Sequence, residues 1–266
     1  MVRLSSKGLL VVLAVATSTL VALAPSTVRA EDWGHLSGTF VLDGDGGMPV
    51  EIQPTKDQEF CGKHKIFDES VTVNPENKGI ANVILFLSLK RGDKAPAVHP
   101  YYEESAKAEV TIDNDQCRFQ PHVVLMRTSQ TLIIGNKDAI AHNTKIDTFA
   151  NPAINPLVPG GGTLKQTYAK EERLPAKVSC SIHPWMNAWL VVKDNPYFAV
   201  TDKDGKFRIE NIPAGEWRFQ VYHTKFITQA NVSGKAVKWA KGQMTQKITA
   251  GDNDLGVIKV ALSELK

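Results

Sequence analysis

Apolar and polar residues alternate in short runs along most of this chain, and Gly, Pro, Asn and Asp separate the runs. Such alternation puts successive side chains on opposite faces of a half-buried strand. The pattern predicts strands over 36–42, 81–89, 109–112, 122–126, 131–135, 177–179 and 189–192. Further strands are expected over 207–210, 217–222, 246–248 and 255–260. No long stretch repeats its apolar residues at the helical period. Short strands with frequent turn residues predict an all-β chain of antiparallel sandwiches. Residues 151–162 read as a long Pro/Gly loop, and Asp194-Asn195-Pro196 reads as a boundary near residue 195. Beyond it, Asp202-Lys203-Asp204-Gly205 between two apolar runs predicts a hairpin, with a second turn at 212–216.

The first thirty residues depart from this pattern. Arg3 and Lys7 open an uncharged, mostly apolar run from Gly8 to Ala24, and Val28-Arg29-Ala30 has the small residues of a cleavage site. This is the form of a secretory leader. The alternative is a membrane anchor, but 17 residues diluted by Thr17, Ser18 and Thr19 fall short of the roughly 20 that span a bilayer. The chain is therefore expected to be exported to the periplasm, the cell surface or beyond, with no transmembrane segment once the leader is removed. The charge supports nothing further. The net +3 over 266 residues comes from the leader's Arg3, Lys7 and Arg29, and without them the basic residues equal the 28 acidic ones. Nothing in that balance favours nucleic acid. Three cysteines in an oxidising compartment predict one disulfide and one remainder. Cys61 is paired here with Cys117, because Cys180 lies in a segment with other work for it.

That segment is Cys180-Ser181-Ile182-His183-Pro184-Trp185-Met186. It places a thiol, an imidazole and a thioether within seven residues. Upstream, Gly135-Asn136-Lys137-Asp138-Ala139-Ile140-Ala141-His142-Asn143 supplies a second imidazole. Two His and one Cys with a weak axial Met form the donor set of a blue-copper electron-transfer site. A strand ending at Cys180 and turning over the end of a sandwich can present His183 and Met186 to one point, with His142 arriving from a neighbouring strand end. The alternative is a sandwich with a buried free cysteine and incidental His and Met residues.

The C-x2-H-P-x-M loop resembles that of the cupredoxins, and of amicyanin in particular. The resemblance extends upstream through Phe119-Gln120-Pro121, Asn136 and the His142-Asn143 pair, and covers roughly residues 117–193. It implies one type 1 copper held by His142, Cys180, His183 and Met186. Asn143 is then expected to hydrogen-bond to Ser181 and tie the two ligand loops together, with Pro184 also behind the ligands. His183 is the expected electron port if its ring edge is exposed, and Trp185 either joins a docking face or packs as core. Residues 197–217 are similar to a carboxypeptidase-regulatory-like, or transthyretin-like, β-sandwich. The resulting expectation is a leader over 1–30, a Greek-key cupredoxin sandwich with an N-terminal β extension over 31–194, and a smaller immunoglobulin/transthyretin-like sandwich over 195–266.

Absences narrow the chemistry. There is no His-x-His pair for extra copper sites, no second cysteine near Cys180 for a dinuclear site, and the expected mature first residue is Glu31 rather than His. Asp43-Gly44-Asp45-Gly46 and Asp202-Lys203-Asp204-Gly205 begin like calcium loops, but Pro54 and Pro213 stand where a bidentate Glu is needed. His122 reads as structural or as a second metal residue, and His64 as a surface residue. These features predict a carrier rather than an enzyme, with a redox partner such as a cytochrome c or a periplasmic oxidoreductase. Copper storage, delivery or sensing is the first alternative. A cell-surface module, touching glycan through its C-terminal part, is the second.

Overall fold

The computed structural model describes residues 33–46, 49–90 and 92–266. The expected leader lies outside the described residues. Within them the chain is built almost wholly of strands, with only short helical turns. Among the described residues no helix is long and apolar enough to cross a membrane.

Two pairs of sheets enclose two cores. In the first pair, one sheet runs Lys145–Asp147, Ala176–Ser179, Asn187–Lys193, Val123–Arg127. The facing sheet runs Thr163–Thr167, Thr131–Asn136, Glu109–Asp115, Arg118–Gln120. Alternate residues Leu132 and Ile134, Val124 and Met126, and Leu190 and Val192 point between the sheets and exclude water there. The small ladder His142–Asn143 with Leu157–Val158 lies at one end. In the second pair, the five-stranded sheet has the order Lys206–Pro213, Trp33–Asp43, Gly251–Ala261, Gln229–Val232, Lys235–Lys238. The four-stranded sheet has the order Phe198–Val200, Ile84–Leu87, Gly215–Tyr222, Gln243–Ile248.

Three expectations are corrected by this pairing. Residues 31–194 do not stay together: Trp33–Asp43 is a central strand against Lys206–Pro213 and Gly251–Ala261, and Ile84–Leu87 pairs with Phe198–Val200 and Gly215–Tyr222. Both strands complete sheets whose other members lie beyond residue 195. Next, the sheets are mixed rather than antiparallel throughout. Trp33–Asp43 runs parallel to Gly251–Ala261, Asn187–Lys193 to Val123–Arg127, and Glu109–Asp115 to Thr131–Asn136. Finally, Asp202-Lys203-Asp204-Gly205 is not a hairpin. The strands that flank it enter different sheets, so the turn crosses from one to the other. Asp202 Oδ1 accepts from the N–H groups of Asp204 and Lys206, and Asp204 Oδ1 accepts from Asn74 and Asn77. Gly205 has φ +77°, and a Cβ there would lie 2.0 Å from the Phe40 carbonyl oxygen.

Ile84–Leu87 explains how the two halves meet. All four residues are buried. Leu85 and Leu87 face the core of their own sandwich, while Ile84 and Phe86 pack against Val123 and Val191 of the other. A strand apolar on both faces belongs between two layers. Buried Lys193 reaches into this seam, with Nζ 4.2 Å from the Phe86 ring centroid and donating to the Glu172 carbonyl. Replacing Phe86 by Ala is expected to cost about 3–5 kcal/mol of stability, the usual range for a fully buried Phe. A urea denaturation midpoint measures it, and a loss under about 1 kcal/mol would contradict the packing described.

Candidate metal centre

Strand Ala176–Ser179 ends one residue before Cys180, and Asn187–Lys193 resumes one residue after Met186. Ser179 pairs with Asn187, so residues 180–186 close as a loop at the sheet's end. The loop is tightened by Met186 N–H donating to the His183 carbonyl (2.9 Å) and Cys180 N–H donating to the Met186 carbonyl (3.3 Å). Pro184 and Ser181 stay exposed at its surface. Cys180, His183 and Met186 turn inward and are 3%, 0% and 1% exposed. His142, also fully buried, enters from the small end ladder, opposite Val158.

The donor atoms converge. Nδ1 of His142 lies 2.9 Å from Nδ1 of His183, and Cys180 Sγ lies 3.7 Å from the latter. One ligand atom from each of the three residues falls within 4.8 Å of the others. Met186 packs in the same core as Cys180.

Behind each imidazole stands a carboxylate. Nε2 of His142 is 2.8 Å from Asp138 Oδ2, and Nε2 of His183 is 2.8 Å from Asp57 Oδ2. An ionised carboxylate only accepts, so each pair assigns the ring proton to Nε2 and leaves Nδ1 facing the thiol. Two unprotonated nitrogens and a sulfur aimed at one buried point repel each other unless a cation stands among them, whether a shared proton or a metal. The residues present thus fit a soft-to-borderline metal ion such as copper.

The titration directions agree. Burial pushes the Cys180 thiol up, but its polar contacts with the His142 and His183 side chains and with the backbone N–H groups of His183 and Ile182 outweigh it and hold it at about 6. Burial pushes His142 down, and its contacts with Asp138 and Cys180 reverse the direction and raise it above 6.5. Asp138, 4% exposed, is pushed up by burial, yet His142 and the N–H groups of Cys117 and Gln116 hold it below the usual carboxylate range. The chain prepares Asp138 for this role locally. Asn136 Nδ2 donates to the carbonyls of Ile140 and Val158, while its Oδ1 accepts from the Asp138 N–H, which fixes the 136–142 loop.

Other expected residues are placed as follows. Cys61 and Cys117 are bonded to each other, and Cys180 is a free, buried thiol. His183 does not present its ring edge to solvent; Asp57 covers it. Asn143 and Ser181 share no side-chain hydrogen bond among the described residues; the side chains of Asn136 and Asn114 make the ties in this region, Asn114 through Gly135 and Thr144. Trp185 is half-buried, its ring 5.2 Å from that of His183 and its Nε1 donating to the Cys117 carbonyl. It also lines a cleft of about 380 Å³ with Asp68, Glu69, His122 and Trp189. His122 is nearly buried, with burial holding it down at about 4. His64 stacks edge-on against Phe60.

Sequence reasoning missed Asp138 and Asp57. Asp138 had a signal, standing four residues before His142 in a segment already singled out. Asp57 had none, because 126 residues separate it from His183.

No family model matches the chain, and no curated protein matches it. Among solved structures, it is similar to a copper-containing nitrite reductase from Thermus scotoductus SA-01 (22% identity, TM-score 0.29), over 40% of this chain and 25% of that one. It is also similar to a single-site mutant of amicyanin in its Cu(I) form (15% identity, TM-score 0.29), over 38% and 95%. A third is a purple cupredoxin from Nitrosopumilus maritimus (22% identity, TM-score 0.27), over 33% and 100%. The matched stretch spans a quarter of the nitrite reductase. The chemistry of the centre rests on its own donor atoms.

Asp138→Ala leaves His142 Nε2 and two backbone N–H groups without their acceptor. It is expected to cost about 3–5 kcal/mol, as losing one member of a buried pair does. Asp138→Asn, which keeps an acceptor, should cost less. Chemical denaturation of both variants checks the order, and equal losses would refute it.

Proposed function

We propose that this chain is an exported copper protein with a single type 1 centre that carries one electron at a time. The observation that supports this most is the convergence of His142 Nδ1, His183 Nδ1 and Cys180 Sγ in a buried pocket, with Met186 buried on the same loop. Bound there, copper would supply a one-electron Cu(II)/Cu(I) couple. Thiolate and thioether suit Cu(I), and imidazole suits both states.

The protein's own residues would set the terms. The closed 180–186 loop and the 136–142 loop hold the donors on strand ends, where they move little between states. Burial keeps water from the ligand positions. Asp138 and Asp57 orient the rings by Nε2, a device that commonly fixes metal-bound histidines. Met186, buried on the same loop, would offer a weak thioether donor. Cys180 is the one free cysteine and the chain has no His-x-His pair, so an electron carrier suits it better than an enzyme. The leader and the Cys61–Cys117 disulfide suit an oxidising compartment, and a periplasmic oxidoreductase or cytochrome c suits the role of partner.

The test is the visible spectrum of the mature chain loaded with Cu(II), beside Cys180→Ser. An intense thiolate-to-copper band, absent from the variant, is expected. A colourless protein, or colour that survives the substitution, would remove this reading. Rapid loss of copper to a mild chelator would favour storage or delivery instead.

A further inference from the structure

We infer that Asp57, carried on a segment outside both ligand loops, is a positioning residue that holds His183 by Nε2, lowers the reduction potential of the centre and closes the ring edge through which electrons would otherwise exchange. This inference rests on the copper reading above.

Asp57 belongs to a compact flap. Glu51–Ile52 pairs with Ile66–Phe67 and closes the base, and the helical turn Gln58–Cys61 lies between them. Cys61 and Ile66 are buried in the same core as Cys180 and Met186, with Ile52 and Phe60 packed at its edge. The Cys61–Cys117 bond ties the turn to the sandwich. The flap is therefore fixed over the centre rather than resting on it.

The local geometry of Asp57 serves the distant contact rather than its own turn. It stands at the N-cap with φ 48°, a left-handed conformation unfavourable for a residue with a Cβ, and its side chain makes no capping hydrogen bond. Aspartate at this position ordinarily caps. Here the carboxylate instead meets His183 Nε2 at 2.8 Å, and the imidazole is left with no exposed surface.

The arrangement repeats on the other side. Asp138 holds His142 in the same way, and its Oδ2 also accepts from the N–H of Cys117. Both histidine–carboxylate pairs thus connect to the two halves of one disulfide. A carboxylate behind an imidazole makes the ring a stronger donor and adds negative charge near the metal. Both effects stabilise Cu(II) more than Cu(I). The Asp57 side chain is 47% exposed, so solvent weakens its charge, and the effect is placed at about tenfold rather than at many orders of magnitude.

The experiment uses the mature, copper-loaded chain, with Asp57→Asn, Asp57→Ala and, as control, Glu59→Gln, which removes an exposed charge from the same turn. Reduction potential is measured by optical redox titration, and self-exchange by line broadening in nuclear magnetic resonance. Asp57→Asn is expected to shift the Cu(I)/Cu(II) affinity ratio about tenfold toward Cu(I), which raises the potential by about 59 mV for one electron. Asp57→Ala should raise it too and speed self-exchange several-fold, and Glu59→Gln should do neither. If the Asp57 variants keep the blue band with an unmoved potential and exchange rate, or if Glu59→Gln shifts the potential equally, the inference is overturned while the copper reading stands. A wild-type protein without the band overturns the copper reading first.

Discussion

Two imidazole nitrogens held 2.9 Å apart in a dry interior, each pinned from behind by a carboxylate, are the constraint from which the rest of the centre follows. Buried polar groups are costly unless each finds a partner. With Asp138 and Asp57 on the Nε2 atoms, the Nδ1 atoms have only one direction left, toward Cys180. A loop closed by its own backbone bonds then supplies sulfur from both ends, Cys180 at the first and Met186 at the last. The donors are set by the fold before any ion arrives, which favours a site whose geometry changes little between charge states.

The disulfide extends that constraint beyond the ligand loops. Cys117 donates its N–H to Asp138, accepts at its carbonyl from Trp185 Nε1 and is bonded through its sulfur to Cys61, whose turn carries Asp57. One residue thus touches Asp138 and Trp185 directly and is bonded to the turn that carries Asp57. The consequence is a centre enclosed on the side where the sequence suggested an open histidine edge.

The second pair of sheets packs directly against the first. Ile84–Leu87 presents one apolar pair to its own core and another to Val123 and Val191. Val191 lies on the strand that follows the ligand loop, so the seam bears on an element continuous with the centre. Lys193 and Phe86 reinforce the same seam from opposite sides.

Much of this was written locally in the chain. Alternation marked most strands, because a period of two is a property of neighbouring residues. The ligand loop was legible for the same reason: Cys180, His183 and Met186 lie within seven residues, and the His142-Asn143 pair follows a strand end. Partner choice was not legible, because a strand's pattern says which face is apolar and not which strand lies beside it. Trp33–Asp43 finds Gly251–Ala261 across more than two hundred residues, and Asp202–Gly205 crosses between sheets instead of folding back within one. Asp57 is the sharpest case. Nothing near it in sequence marks it, and only the folded chain, with Cys61 bonded to Cys117, brings its carboxylate to His183. Donor types and the strands that carry them are therefore local properties, readable from the order of residues. Which strands pair, and which carboxylates stand behind the histidines, emerged only on folding, because both depend on contacts between residues far apart in the chain.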